Sequence, residues 1–490
     1  VSAINDLPAT VQARMLAAGE LSARELLDAT LDRVAELNPV LNAVVSIDED
    51  RARAAAAAAD EAQAAGRPLG PLHGLPLVVK DLHATAGMRT TFGSPAFEDN
   101  VPAADELVVA RMRTAGAIVF GKTNVPEFGA GSHTFNPVFG LTRNPYAPDR
   151  SAGGSSGGAA AALAAGLTSL ADGSDMGGSL RNPASFCNVV GHRPSPGRVP
   201  SWPAKDAWFT LGVQGPMGRT VADAALLLSV QAGPDERAPL SLPESGAVFA
   251  AGLPARLDGL RIAVSPDLGG RVPVDAEVAA IVEDQVDVLR GLGAEVVSGC
   301  PDLTGAEEVF QTFRALNYAQ GVGDLVDAEP DKVKQTIHWN VAKGRALTGE
   351  DVAHAIRLRT ELFHRVRAYF SAVDAVVLPS SQALPFDAEL EYPKTVGGSE
   401  VDDYLHWMRA AYLISATECP ATAVPAGFTG EGLPVGVQVV TARHADLRAL
   451  GIAHALEKAN GHTARRPPQS GASTTTSLPS RGIDPDLPRP

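Results

Sequence analysis

Near the N-terminus apolar residues recur with a helical period. In LSARELLDATLDRVAEL (Leu21 to Leu37), Leu26, Leu27, Thr30, Leu31 and Val34 fall on one face. Ser22 with Glu25 three positions later forms a capping box, which opens a helix by satisfying N–H groups that lack an intrahelical acceptor. An Ala-rich stretch at 49–66 predicts a second helix. The period then changes. GLPLVVKD (Gly74 to Asp81) is a short apolar run between turn residues, which predicts a buried strand ending in Lys80. A helix over 103–115 and the strand-like AIVFGK (Ala117 to Lys122) continue an α/β alternation.

From Phe128 to Pro216 glycine and proline are dense and long periodic patterns are scarce. Loops rich in backbone amides on a rigid scaffold are where active sites tend to be built. Beyond Thr220 the alternation resumes: helix 220–231, strand 260–264, helix 275–291 and further helices through 370. The runs AVVLP (Ala375 to Pro379) and PVGVQVV (Pro434 to Val440) predict more sheet. The run DDYLHWMRAAYLISA (Asp402 to Ala416) spaces Tyr404, Trp407 and Met408 about one helical turn apart, the pattern of a core stripe. Facing a site instead, that stripe would favour an aromatic or bulky apolar acyl group. The segment from about Ala464 to Pro490 is Pro-, Ser- and Thr-rich with little to bury and reads as a disordered tail.

Composition narrows the class. With 490 residues, 45% apolar and 20% charged, the chain can bury at least one large core. A formal charge of −15 argues against a nucleic-acid or anionic-membrane partner, because phosphate binding is driven by Lys and Arg clusters. Cys187, Cys300 and Cys419 are far apart, odd in number and unlike zinc-ligand pairs, which suits a reducing, cytoplasmic setting. Residues 1–20 lack a basic region followed by an apolar one, so no signal peptide or anchor is expected there. Ala152 to Ala171 is uncharged over a membrane-like length, but Gly, Ser and Ala give it little transfer free energy. A glycine-packed loop leading into a buried helix explains it better.

Two serine loops carry the candidate chemistry: GGSSGG (Gly153 to Gly158) and DMGGSLRNP (Asp175 to Pro183). Without a Cβ, glycine lets the backbone come close to a ligand, so the N–H groups of Met176, Gly177, Gly178 and Ser179 can point at one oxyanion. A serine needs a base, and Lys80 at the end of an apolar strand is a candidate, since burial disfavours the ammonium form. A solvated or ion-paired lysine is the ordinary alternative. Ser155 competes as nucleophile, because GGSSG satisfies G-x-S-x-G, although RNPYAPDRSA before it is turn-like where that elbow requires a strand. A phosphate loop does not fit, since no Gly-Lys-Ser/Thr follows.

These segments resemble the amidase signature family. GGSSGGAAAALAAG and GSDMGGSLRNPASFCNVVGHRPS (Gly153 to Ser195) are similar to its core pattern, and so are LHGLPLVVKD, GKTNVPEFG (Gly121 to Gly129), NPVFGLTRNPY, GPMGRTVADAALLL and GLPVGVQVV. The resemblance covers nearly everything but the tail. It implies an α/β fold with a single large mixed β-sheet core flanked by helices, formed as one domain over 1–463. It implies an amidase that hydrolyses a linear carboxylic amide through an acyl-serine, with no cofactor. It also decides between the serines: Ser179 as nucleophile, Ser155 as the bridging serine after an unusual cis peptide to Gly154, and Lys80 as terminal base. Gly129 and Gly131 lie in a segment that lines the acyl pocket in relatives, and with Met176, Gly177 and Gly178 they are the expected substrate contacts.

The expected partner is a small-molecule amide, without nucleic acid or membrane; a homodimer is allowed. Several positions depart from the family pattern. Met176 replaces a threonine, Asn188 a glycine, and His192-Arg193 a Leu-Lys pair. Glu418, in ATECPA, stands where Gly is usual, which puts that turn in question. Arg181 is either a substrate contact or the partner of an acid such as Asp175, and Cys187, His73, His133 and His192 read as structural. Within the family the alternative is the amidase component of a glutamine-dependent tRNA amidotransferase, against which TNVPEFG (Thr123 to Gly129) argues, since TNMDEF is typical there. A non-catalytic binding protein is the other alternative.

Overall fold

The computed structural model of the protein describes residues 4–250 and 252–468. The apolar runs pair edge to edge in one eleven-stranded sheet. Its order is Val44–Ile47, Ile118–Thr123, Pro76–Lys80, Leu170–Asp175, Val213–Gly218, Val190–Arg193, Ala421–Phe428, Pro434–Thr441, Ala375–Pro379, Arg261–Val264 and Glu295–Ser298. Pro76–Lys80 runs parallel to both neighbours, the middle of the sheet is antiparallel, and parallel pairing returns at the far edge. Pro76–Lys80, Ala375–Pro379 and Pro434–Thr441 are buried along their whole length. Covered on both faces, they read as continuous apolar runs instead of an alternation. The sheet is flanked by helices: Val221–Gln231, Ala276–Gly291 and Asp446–Asn460 pack on it, the last touching both of the others. A further group, Ala306–Ala328 with Gln335–Ala346 and Gly349–Tyr369, packs together beside it.

Local signals set most boundaries. The helix Ala23–Leu41 opens with the Ser22/Glu25 capping box formed in both directions, and continues past Pro39. The helix expected over 103–115 forms only over Leu107–Thr114. Its first residues are held otherwise, because Asp105 accepts from Ala86 N–H at 2.7 Å and Glu106 from Ala84 N–H at 3.2 Å. The Gly-rich region is more regular than its composition predicts, with the helix Gly157–Ala165 wholly buried. A Cβ on Gly158 would stand 2.4 Å from Asn124 N, so glycine here permits close packing. Among the described residues no helix is long and apolar enough to cross a membrane.

Two expectations need correction. The stripe at 404–408 is not one helix: a 3-10 turn, His406–Met408, leads into Arg409–Ser415. The tail does not begin at 464. The Arg465 carbonyl accepts from Tyr146 Oη at 2.7 Å, its guanidinium lies 3.8 Å from the centre of the Phe428 ring, and Arg466 donates to Asp6 O at 2.5 Å. Those partners are remote in sequence and invisible to composition. The remainder of the tail assignment, 469–490, lies outside the described residues.

Candidate active site

Strand Pro76–Lys80 delivers Lys80 into the interior with no exposed surface. Its Nζ lies 2.8 Å from Ser155 Oγ, 2.8 Å from Ser156 Oγ and 3.0 Å from Ser174 Oγ, and donates to Ser174 O at 3.3 Å. Burial pushes the amine down to about 7, although Asp172 and Asp175 favour the charged form. Asp172 is occupied elsewhere: one oxygen accepts from the Lys80 backbone N–H at 2.7 Å and the other pairs with His83 Nδ1. An ammonium has three donors and no acceptor, whereas a neutral amine has two donors and one lone pair. Three hydroxyls and one carbonyl can serve either form, as acceptors for an ammonium or with one hydroxyl donating to the lone pair of the neutral amine.

The Gly154–Ser155 peptide is cis. Ser132 Oγ donates to Gly154 O at 2.5 Å and Thr134 Oγ1 to Gly153 O at 2.8 Å, which buttresses this loop from the 132–134 segment. The second loop is tied to the first where Ser156 N–H donates to Ser179 O at 3.2 Å. Among the described residues no hydrogen bond joins Ser155 Oγ to Ser179 Oγ, but both side chains line one cavity of about 300 Å³. Ser179 is 7% exposed against 2% for Ser155, so it is the more open of the pair.

Asp175 organises the Ser179 loop. It accepts from Gly178 N–H at 2.9 Å, Leu180 N–H at 3.1 Å and Arg181 Nε at 3.0 Å, with Arg193 at 3.3 Å. Burial pushes this carboxyl up, but Arg181, Arg193 and the donated bonds outweigh it and hold it well below the usual carboxylate range. Arg181 is therefore a buried structural partner of Asp175. Gly178, at φ 114°, donates its N–H to Asp175, and a Cβ there would stand 2.6 Å from that of Ala411.

Gly129, Gly131, Met176 and Gly177 do line the cavity. A Cβ on Gly129 would stand 3.4 Å from Ser155 Oγ. The stripe divides, Met408 facing the cavity and Trp407 stacking on Phe186 in the core. Glu418 keeps the turn at φ 59° while its carboxylate pairs with Arg359 and, at 3.2 Å, with Arg443. Asn188 likewise holds φ 55°, with its amide donating to His462 O at 2.9 Å. His133 and His192 are buried and hydrogen-bonded away from the cavity, and Cys187 is a buried thiol pushed well up by burial.

Other wall residues escape sequence reasoning. His83, Glu106 and Gln214 form a polar part of the wall, with Gln214 donating to Glu106. Burial raises the Glu106 carboxyl above its ordinary value against the opposing effect of His83. Phe310, Arg314 and Tyr318 come from the helix Ala306–Ala328, where their spacing of one residue per turn was a readable signal. Among the described residues no group of three or more His, Cys, Asp or Glu is placed to hold a metal ion.

The Amidase family model matches residues 25–450. An acylamidase of Rhodococcus erythropolis is 36% identical over 469 residues, covering 95% of this chain and 98% of its own length. A glutamyl-tRNA(Gln) amidotransferase chain of Synechococcus sp. (strain CC9605), one component of that enzyme, is also 36% identical, covering 94% of this chain and 98% of its own. Among solved structures, a bacterial aryl acylamidase of the amidase signature family superposes with a TM-score of 0.87 at 29% identity, over 94% of this chain and 99% of that one.

Proposed function

The chain belongs to the Amidase family and hydrolyses amide C–N bonds, and from that premise we propose that Ser179 attacks the amide carbonyl while Ser155 and Lys80 carry its proton away. The observation that carries this reading is the buried Lys80 amine, brought to about 7 and 2.8 Å from Ser155 Oγ. Neutral Lys80 takes the proton of Ser155 as Ser155 takes that of Ser179, and the Ser179 oxygen bonds to the carbonyl carbon. With Gly178 committed to Asp175, the N–H groups of Met176, Gly177 and Ser179 remain to hold the tetrahedral oxyanion. As the intermediate collapses the C–N bond breaks and the relay returns the proton to the leaving nitrogen. Water then cleaves the acyl-serine ester by the same path.

The walls support a bulky apolar or aromatic acyl group, since Phe128, Phe310, Met176 and Met408 all face the cavity. The net charge of −15 and three free cysteines support a cytoplasmic enzyme without a nucleic-acid partner. The same reading makes the sheet and its helices one amidase signature domain. A fluorophosphonate probe tests the nucleophile: wild type is labelled and Ser179→Ala is not. No labelling of wild type, or equal labelling of the variant, overturns the assignment.

The similarity to an amidotransferase component supports a second reading, in which ammonia passes to a partner protein. It predicts glutaminase activity and copurifying partners. Free hydrolysis predicts neither.

A further inference from the structure

We propose that Arg314 is an anion-binding residue of the active-site cavity and that the preferred substrates carry a carboxylate besides the scissile amide. The inference rests on the amide-hydrolase reading and names the substrate class of that same cavity.

Arg314 is 4% exposed and shares the cavity wall with Ser155, Ser179, Phe310 and Tyr318. Its guanidinium donates to Asn340 Oδ1 and to Tyr404 Oη, both uncharged. It also stands 4.7 Å and 5.4 Å from the ring centres of Tyr318 and Tyr404. Among the described residues no carboxylate forms an ion pair with it. Other buried arginines are treated differently: Arg181, Arg193 and Arg198 meet carboxylates at 3.0, 3.3 and 3.2 Å. Arg219 spends donors on the carbonyls of Asn5 and Leu7 and does not line this cavity. The neighbouring charges do not neutralise Arg314. Lys334 is a second cation donating to Ala130 O at 2.7 Å, and Glu127 accepts from the Lys334 N–H at 2.9 Å.

An unpaired buried guanidinium is costly, yet among the described residues no carboxylate comes within ion-pair distance of this one. A planar fork with spare donors facing a cavity matches a carboxylate, which it can hold through two parallel hydrogen bonds. Glu106 and Asp175 line the same cavity, which disfavours a dianion and selects a single negative charge. Tyr318 and Phe310, one turn to either side of Arg314, supply an apolar wall beside that charge.

The test uses two matched substrate pairs. Glutaramic acid against 5-methylhexanamide places the charge on the acyl side, and N-benzoylglycine against N-isobutylbenzamide places it on the amine side. In wild type the acid of one pair is expected to exceed its isostere in kcat/KM by at least about tenfold. That ratio should shrink in Arg314→Lys and collapse in Arg314→Met; reading the ratio cancels any general loss of activity. Should Arg314→Met not fold, inhibition of wild type and Arg314→Lys decides: the monoanion 5-oxohexanoate should inhibit competitively and its uncharged isostere 6-methylheptan-2-one much less, with Arg314→Lys weakening only the former. Ratios near one for both pairs in wild type, or a ratio unmoved in the variants, overturn the proposal. Labelling of Ser179 and turnover of uncharged amides would survive that outcome, whereas their loss would sink the underlying reading instead.

Discussion

Replacing Lys80 by Met keeps most of the side-chain volume and removes the amine, so it isolates the proposed base. A solvated lysine with pKa near 10.4 is only about 0.1% neutral at pH 7.5, whereas one at about 7 is about three-quarters neutral. Burial at the end of Pro76–Lys80 thus raises the working base several-hundred-fold. In wild type, kcat/KM on a neutral amide should climb about tenfold between pH 6 and pH 8, following the neutral fraction, and then level off. Lys80→Met should lose roughly 10⁴-fold at pH 8 together with that rising limb, because the relay acts as a unit. Stability moves the other way. Folded, Lys80 releases its proton near 7, and unfolded near 10.4, so between those values the unfolded chain binds the extra proton. Wild-type stability therefore rises with pH through that window and carries the full penalty below it. Lys80→Met should melt higher than wild type at pH 7, by up to about 4 kcal/mol, with the gap closing toward pH 10. A rate flat from pH 5 to 9, or a variant within tenfold of wild type, would refute the relay, and retained activity would revive Ser155 as a nucleophile with another base.

Two further outcomes follow from the surroundings of the site. Arg181→Met leaves Asp175 with Arg193 as its remaining cation and strips donors from Ser415 and Gln438, so chemical denaturation should register a loss of about 3–5 kcal/mol. A loss under about 1 kcal/mol would show that the pair is dispensable. At Glu418, φ of 59° suits glycine while the carboxylate holds Arg359 and Arg443. Glu418→Ala should therefore melt below Glu418→Gly by about 1 kcal/mol, and equal melting would mean that the backbone conformation carries no cost there.

Much of the scaffold was written in local pattern. The Ser22/Glu25 box, the strand ending at Lys80 and the runs at 375–379 and 434–440 obey rules that act over a few residues, and each forms there, the last extended by Thr441. The serine loops stood out because glycine beside serine lets backbone amides approach a ligand, although Gly158 serves close packing. The helix over 103–115 was overestimated because its start is decided by Ala84 and Ala86, which no periodicity reveals. The reach of the chain to Arg466 depends on Tyr146, Asn188 and Asp6, which lie far back in the sequence.

What the sequence alone determined was which groups are on offer: an amine at the end of an apolar strand, two hydroxyls in glycine-rich loops, and an acid before the second of them. Tertiary structure decided their chemical state. Desolvation and charge pairing depend on what surrounds an atom in three dimensions, so the lowered Lys80, the loss of the Gly178 N–H to Asp175 and an arginine on the cavity wall all arise from contacts across the fold. A residue's identity is local, but its protonation and its partners belong to the packing that encloses it.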